Sequence, residues 1–305
     1  MLCELAHSFP PRVAELLERD RSLTRNFREE SITDVLMASL VGLEPFGIRV
    51  DFPDEPTTGG DMEWIFAAPL ELNSGSYLRL VLQAKRAHFT KLKAGGYWYY
   101  HHLDYGTPKG DQAQTLVNAA GTAFPIYIFY NPTSALAAKT ATLPAVEGIN
   151  LVFAHHVALV VRGGCGKKAK KIDAWRKHFM PLSDILCWPT TFVAAAPNVP
   201  PDDATLFAIN GDAFTLPKMT GAFHPDIIAE RLNRKLDIAP VQDSSGVDRV
   251  AARPTNQIPL DIRRAIAGEV SAKDRRELRR PRVILSTQMK RSDPDFAQLQ
   301  ELSRR

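Results

Sequence analysis

The chain has 305 residues, 45% of them hydrophobic, and a formal net charge of +4. That is enough apolar material for one large domain or two modest ones, and the mild basic excess permits a nucleic-acid partner without demanding one. No run approaches the roughly 20 consecutive apolar residues of a membrane helix, and no basic-flanked apolar leader opens the chain. Cys3, Cys165 and Cys187 lack metal-like spacing and cannot all pair with one another, which points to a reducing cytoplasm.

In chain order, residues 1–21 read as an N-terminal helical cap with a short helical pattern at Val13–Glu18. Ser22 or Thr24 offers an N-cap for a helix running to about Val41, whose apolar positions Phe27, Ile32, Val35, Leu36 and Leu40 approximate helical spacing. Glu30 and Thr33 lie on or near the edge of that stripe. A strand around Gly47–Phe52 and a polar turn at Pro53–Gly60 follow. Strands Asp61–Ala68 and Tyr77–Arg86 are joined through Asn73-Ser74-Gly75-Ser76, short enough for an antiparallel hairpin.

An aromatic and basic stretch, His88–Tyr105, leads to a helix at Asp111–Ala120 and a buried strand at Pro125–Asn131. Because a helix leads into it, that strand is expected to run parallel to its neighbour. Residues 132–238 read as an elaboration on the core, with strands at Ile149–Val161 and Val193–Ala196 and helices at Asp173–Phe179 and Pro225–Leu236. Residues 239–305 read as a polar linker and a basic, mobile, peripheral segment carrying Arg275-Arg276 and Arg279-Arg280. The expected fold class is α/β, with a mixed central sheet flanked by helices.

Residues i and i+2 of a strand share a face. Asp61 and Glu63 on one strand, and Gln83 and Lys85 on the next, therefore present polar pairs from segments that otherwise want burial. Gln83 and Lys85 interrupt an apolar strand, where burial is costly without a partner. Carboxylates, an amide and a lysine at the ends of adjacent strands suggest a Mg²⁺ site for phosphodiester cleavage. Asp61, just after Gly59-Gly60, is the best single ligand, and Glu63 could bind a second ion, hold a ligand water or fix Lys85. Gln83 offers a neutral carbonyl oxygen, Glu30 could make up the missing charge, and Lys85 would orient water or stabilise charge on the phosphate. The plain alternative is a cross-strand salt bridge.

Elsewhere, Tyr97-Trp98-Tyr99-Tyr100-His101-His102 interleaves with Lys91, Lys93 and Lys109. Such a loop suits unpaired bases and phosphates, and equally a hydrophobic flap or a subunit contact. His101-His102 and His155-His156 are not chelating pairs if they lie on strands, since neighbours there face opposite sides. Gly163-Gly164-Cys165-Gly166-Lys167-Lys168 lacks the spacing and hydroxyl of a phosphate loop.

On Glu30-Ser31-Ile32-Thr33-Asp34, Gly60-Asp61-Met62-Glu63-Trp64, Gln83-Ala84-Lys85 and Tyr127-Ile128-Phe129-Tyr130-Asn131, the chain resembles the PD-(D/E)XK, restriction-endonuclease-like nuclease superfamily. Within it, the chain is similar to an uncharacterised bacterial family with a Q-x-K variant of the motif. The resemblance implies an αβββαβ core over residues 22–131 and Mg²⁺- or Mn²⁺-dependent endonuclease activity on nucleic acid, DNA in the first place. It implies Glu30, Asp61, Gln83 and Glu63 as metal-site residues, Lys85 as the catalytic cation, and Gln112 as a supporting contact to the phosphate backbone. By analogy it suggests antiphage defence and a homodimer, and a nuclease with no visible control element should be toxic, which calls for an activating or inhibitory partner. Two other readings stay open: a catalytically inactive nucleic-acid-binding module, favoured by Gln83, and a regulatory interaction protein using Tyr97–Tyr100.

Overall fold

Met62–Ala67, Leu78–Ala84 and Phe124–Tyr130 are rich in aromatic and aliphatic side chains and are buried almost throughout. Strands covered on both faces read this way, so these three form the middle of a sheet. The computed structural model describes residues 2–20, 23, 27–53, 61–68, 75–92, 95–104, 106–107, 110–162, 166–187, 223–238, 251–270, 274 and 277–304, with residues 46, 61, 106–107, 110–111, 119, 237–238 and 302–304 described in their backbone only.

The fold is mixed α/β. Its strands are β1 (Ile48–Asp51), β2 (Asp61–Ala67), β3 (Tyr77–Leu92), β4 (Gly95–Tyr100), β5 (Gly106–Thr107), β6 (Gly110–Asp111), β7 (Phe124–Tyr130), β8 (Ile149–Phe153), β9 (Met180–Pro181) and β10 (Arg282–Ser286). Eight of them make one open mixed sheet in the order β1-β10-β2-β3-β7-β8-β9, with β4 paired to the far half of β3. β2 and β3 are antiparallel, and β3 and β7 parallel, the pairings that the sequence led one to expect.

Helices cover both faces. Leu78, Leu80, Leu82 and Ala84 of β3 join Met62, Trp64 and Phe66 in a core closed by α1 (Leu2–Asp20), α2 (Glu29–Val41), α6 (Ser183–Leu186) and α7 (Pro225–Ile238). The alternate residues Val81 and Ala87, with Tyr127 and Phe129, pack under α3 (Gln112–Ala119), α4 (Ala154–Arg162) and α5 (Ile172–Trp175). A smaller cluster sets α8 (Leu260–Ala267) against Ile65 and Ile284. α1 lies close on the chain before β8. A Cβ at Gly148 would stand 1.8 Å from the Pro10 carbonyl oxygen, so only glycine fits there.

The order α2, β1, β2, β3, α3, β7 matches the expected αβββαβ series, but several boundaries are corrected. The N-terminal helix spans 19 residues, Leu2–Asp20, well beyond the short helical pattern at Val13–Glu18. α2 begins at Glu29, and the caps expected at Ser22 or Thr24 lie outside the described residues. β3 continues past Arg86 to Leu92 and pairs with β4, so much of the aromatic stretch is a hairpin rather than a loop. Ile149–Val161 divides into strand β8 and helix α4. Val193–Ala196 lies outside the described residues.

The largest correction concerns the C-terminal segment, expected to be peripheral. Its Arg282–Ser286 run is β10, buried in the sheet between β1 and β2, antiparallel to the first and parallel to the second. Arg282 is itself buried and donates to Asp51 (Nε–Oδ2 2.9 Å) and Asp261 (Nη1–Oδ2 2.9 Å). α9 (Pro294–Arg304) then packs on α7 through Phe296, Leu299, Ile227 and Met289. Arg275-Arg276 lies outside the described residues.

Candidate active site

Alternation along β3 sends Leu82 and Ala84 to the α2 side of the sheet and leaves Gln83 and Lys85 on the α3 side. Both are nearly enclosed, at 5% and 7% exposure, where an unpartnered amide or ammonium is costly. The first residue of α3 supplies partners. Lys85 Nζ donates to Gln112 Oε1 at 2.8 Å, and Gln112 Nε2 donates to Gln83 Oε1 at 3.1 Å. Gln112, expected only as a supporting contact, is thus the joint of the cluster.

Asp61 opens β2 directly opposite Gln83 in the ladder. Its side chain is outside the described atoms, so the register is what places it beside the Gln83–Lys85–Gln112 trio. Glu63 is engaged otherwise. Its Oε1 accepts from Arg79 Nη2 and pairs with Arg280 Nε at 3.4 Å, so two guanidiniums stand where a metal or Lys85 was expected.

Glu30 is not brought to the trio. Its helix packs on the opposite face of β3, and its charge acts on Asp34, one turn on, whose pKa is raised by burial first and by Glu30 second. The neighbouring Glu29 reaches β3 instead, its Oε1 accepting the Arg86 backbone N–H at 3.3 Å. Arg86 is a second organising residue that the sequence reading passed over. Its Nη1 donates to Asp20 Oδ2 at 2.6 Å and to the Phe27 carbonyl, while Asp20 Oδ1 accepts the Phe27 N–H at 2.7 Å. One buried ion pair therefore fastens the end of α1 and the approach to α2 onto the strand that carries Lys85. A basic residue next to the motif lysine was the available signal, but its partner lies 66 positions away.

Next to Lys85 along β3, a cleft of about 310 Å³ is lined by Asp20, Arg86, His88, Trp98 and Tyr99 among others. Trp98 packs on Phe89 with centroids 5.1 Å apart, and Tyr97 lies under Lys171 Nζ at 4.4 Å. Burial above all, then the charge of Arg86, pulls the His88 pKa down to about 4. Lys91 is exposed on the outer part of the hairpin, where β3 pairs with β4. Lys93 and Lys109 lie outside the described residues, as do 163–165 of the basic glycine turn. Tyr100 belongs to the interior, its hydroxyl donating to Asn131 Oδ1 at 2.7 Å.

His155 and His156 lie on α4 rather than on a strand, and His156 stacks on His178 at 4.5 Å. Cys3 and Cys187, distant in sequence, are joined by a disulfide, with His7 beside them. Among the described residues no helix is long and apolar enough to cross a membrane.

No curated protein and no solved structure matches the chain. A family profile matches residues 2–299, nearly the whole length, and on that match the chain belongs to the family described as a family of unknown function, DUF6615.

Proposed function

We propose that the protein is a divalent-metal-dependent nuclease of the PD-(D/E)XK type, hydrolysing phosphodiester bonds of nucleic acid, DNA in the first place. One observation carries this reading: a buried lysine and glutamine on a central strand, joined through Gln112, with an aspartate at the facing ladder position. A salt-bridge role for Lys85 alone leaves unexplained why two amides accompany it in an enclosed site. The αβββαβ order, with β7 parallel to β3, supports the same reading.

The donor set fits a hard cation. Gln83 Oε1 has two acceptor sites, of which Gln112 Nε2 takes one, and Asp61 brings a carboxylate. Mg²⁺ needs no more from protein, since it keeps several waters and takes a phosphate oxygen as well. Asp61 and Gln83 would hold it. When bound, the ion would lower the pKa of a coordinated water and neutralise phosphate charge.

The remaining work falls to the chain. Lys85, held by Gln112, would stabilise negative charge growing on the phosphate oxygens. The N-terminal end of α3, where Gln112 stands, favours an anion by its helix dipole, so helix and lysine attract the same group. Arg86 and Asp20, on the other face, keep the strand in place.

The test is cleavage of supercoiled plasmid and single-stranded DNA with Mg²⁺ or Mn²⁺ against EDTA, for the parent and Lys85→Ala. Metal-dependent cutting lost in the variant is expected. DNA binding without cutting would instead favour an inactive binding module, the reading that Gln83 in place of an acid supports.

A further inference from the structure

Cys3 and His7 are spaced i, i+4 on α1 and so share one face of that helix. Cys187, immediately after α6, meets them there. The two sulfurs and a ring nitrogen of His7 all lie within 4.8 Å of one another. We propose that in the reduced protein Cys3, His7 and Cys187 form a Zn²⁺ site, separate from the candidate nuclease centre and independent of that reading.

The chemistry of the donors is that of zinc: two thiolates and an imidazole are soft-to-borderline ligands, unsuited to Mg²⁺. The geometry fits as well. Zn–S bonds of about 2.3 Å and Zn–N bonds of about 2.0–2.1 Å at tetrahedral angles put sulfur and nitrogen roughly 3.6 Å apart. His7 Nε2 is 3.5 Å from Cys187 Sγ. A disulfide needs no third group, whereas a zinc site does. The sulfurs are bonded to each other in the structure, and once that bond is reduced they must separate to non-bonded distance, close to what two thiolates on one zinc require.

The scaffold holds the ligands in place. The Cys187 carbonyl accepts Arg231 Nη1 at 2.8 Å, and the same nitrogen donates to the Ile185 carbonyl at 3.2 Å. Cys3 and His7 stand on the first turns of a helix whose Ala6 and Phe9 are buried.

The balance is simple. A phosphine reductant and one water convert the disulfide to two thiols and a phosphine oxide. Zn²⁺ then displaces two protons as the thiolates and the neutral imidazole bind it, leaving one coordination position for water. The site would fasten α1 to the chain at residue 187 in the reduced protein, and the disulfide would do so in the oxidised one.

The experiment uses the full chain, reduced with a phosphine, stripped with chelator, given one equivalent of Zn²⁺ and desalted. Zinc is measured by plasma mass spectrometry, and Co²⁺ replaces it as a spectroscopic probe of thiolate ligation. The expected result is one equivalent retained by the parent, less than a tenth of that by Cys187→Ser, and an affinity lowered at least tenfold in His7→Ala. His7 is exposed, so its removal should leave the circular dichroism unchanged, which separates ligand loss from unfolding. Free thiols that retain no zinc, or zinc kept equally by both variants, would overturn the proposal.

Discussion

Lys85 Nζ and Gln112 Oε1 are 2.8 Å apart, which ties a residue inside the sheet to the first residue of the helix that covers it. The contact gives the ammonium of a long, flexible side chain one defined hydrogen-bond direction inside an enclosed site. Lys85→Met keeps most of the volume and removes the charge. Cleavage is expected to fall by about 10²–10³-fold, with the melting temperature nearly unchanged. Gln112→Ala should cost less, on the order of tenfold, since the lysine remains and loses one of the contacts that aim it. Single-turnover cleavage assays measure both, and a Lys85→Met protein as active as its parent would remove Lys85 from the mechanism.

Gln83 accepts one hydrogen bond from Gln112 Nε2 at 3.1 Å, and a carboxylate at that position could accept it equally. Gln83→Glu therefore keeps the network while adding a charged ligand. Mg²⁺ binding, followed by calorimetry, is expected to tighten roughly tenfold, as an added carboxylate does for a hard cation. Asp61→Asn should weaken it by a similar factor. An unchanged Mg²⁺ affinity in Gln83→Glu would mean that this side chain does not touch the ion.

Asp20 and Arg86 form a pair in which both side chains are almost fully enclosed. Removing one partner leaves a buried charge, so Asp20→Ala is expected to lower stability by about 3–5 kcal/mol. Chemical denaturation monitored by circular dichroism reads this directly. The double variant Asp20→Ala/Arg86→Met should recover part of the loss, since neither charge is then stranded. If Asp20→Ala unfolds like its parent, the pair does not hold α1 to β3.

His156 and His178 stack between α4 and the turn after α5, and burial, above all other causes, lowers each pKa from 6.5 to about 4. The unfolded chain takes up these protons near pH 6.5, whereas the native state resists until about pH 4. Their contribution to stability is therefore complete above pH 6.5 and is lost as pH falls toward 4. The melting temperature should drop between pH 6.5 and 4.5, and less steeply in His156→Phe, which keeps a ring against His178. An equal slope in the two proteins would assign the acid sensitivity to other groups.

Much of the core was legible because its signals are local. β2, β3 and β7 are apolar runs of strand length, the turn residues Asn73-Ser74-Gly75-Ser76 stand between the first two, and a helix leads into the third. Those facts dictate antiparallel and then parallel pairing. Gln83 and Lys85 stood out for the same reason: polar residues in a buried strand must find partners. Glu29 and Glu30 stand about 100° apart around the helix, and which of the two met β3 depended on how α2 is rotated against the sheet, a choice that packing made in favour of Glu29.

The sequence by itself determined which segments are apolar strands and amphipathic helices, and which polar residues would be expensive to bury unpaired. Only the tertiary structure decided what sat between and against them. Arg282–Ser286 is a five-residue run preceded by arginines, and nothing local says that it lies between β1 and β2, more than 200 residues earlier. The same holds for Arg86 with Asp20, for Glu63 with Arg79 and Arg280, and for Cys187 with Cys3 and His7. Periodicity encodes how a segment turns its apolar face. It does not encode which distant segment meets that face, because that choice is made by the packing of the whole chain.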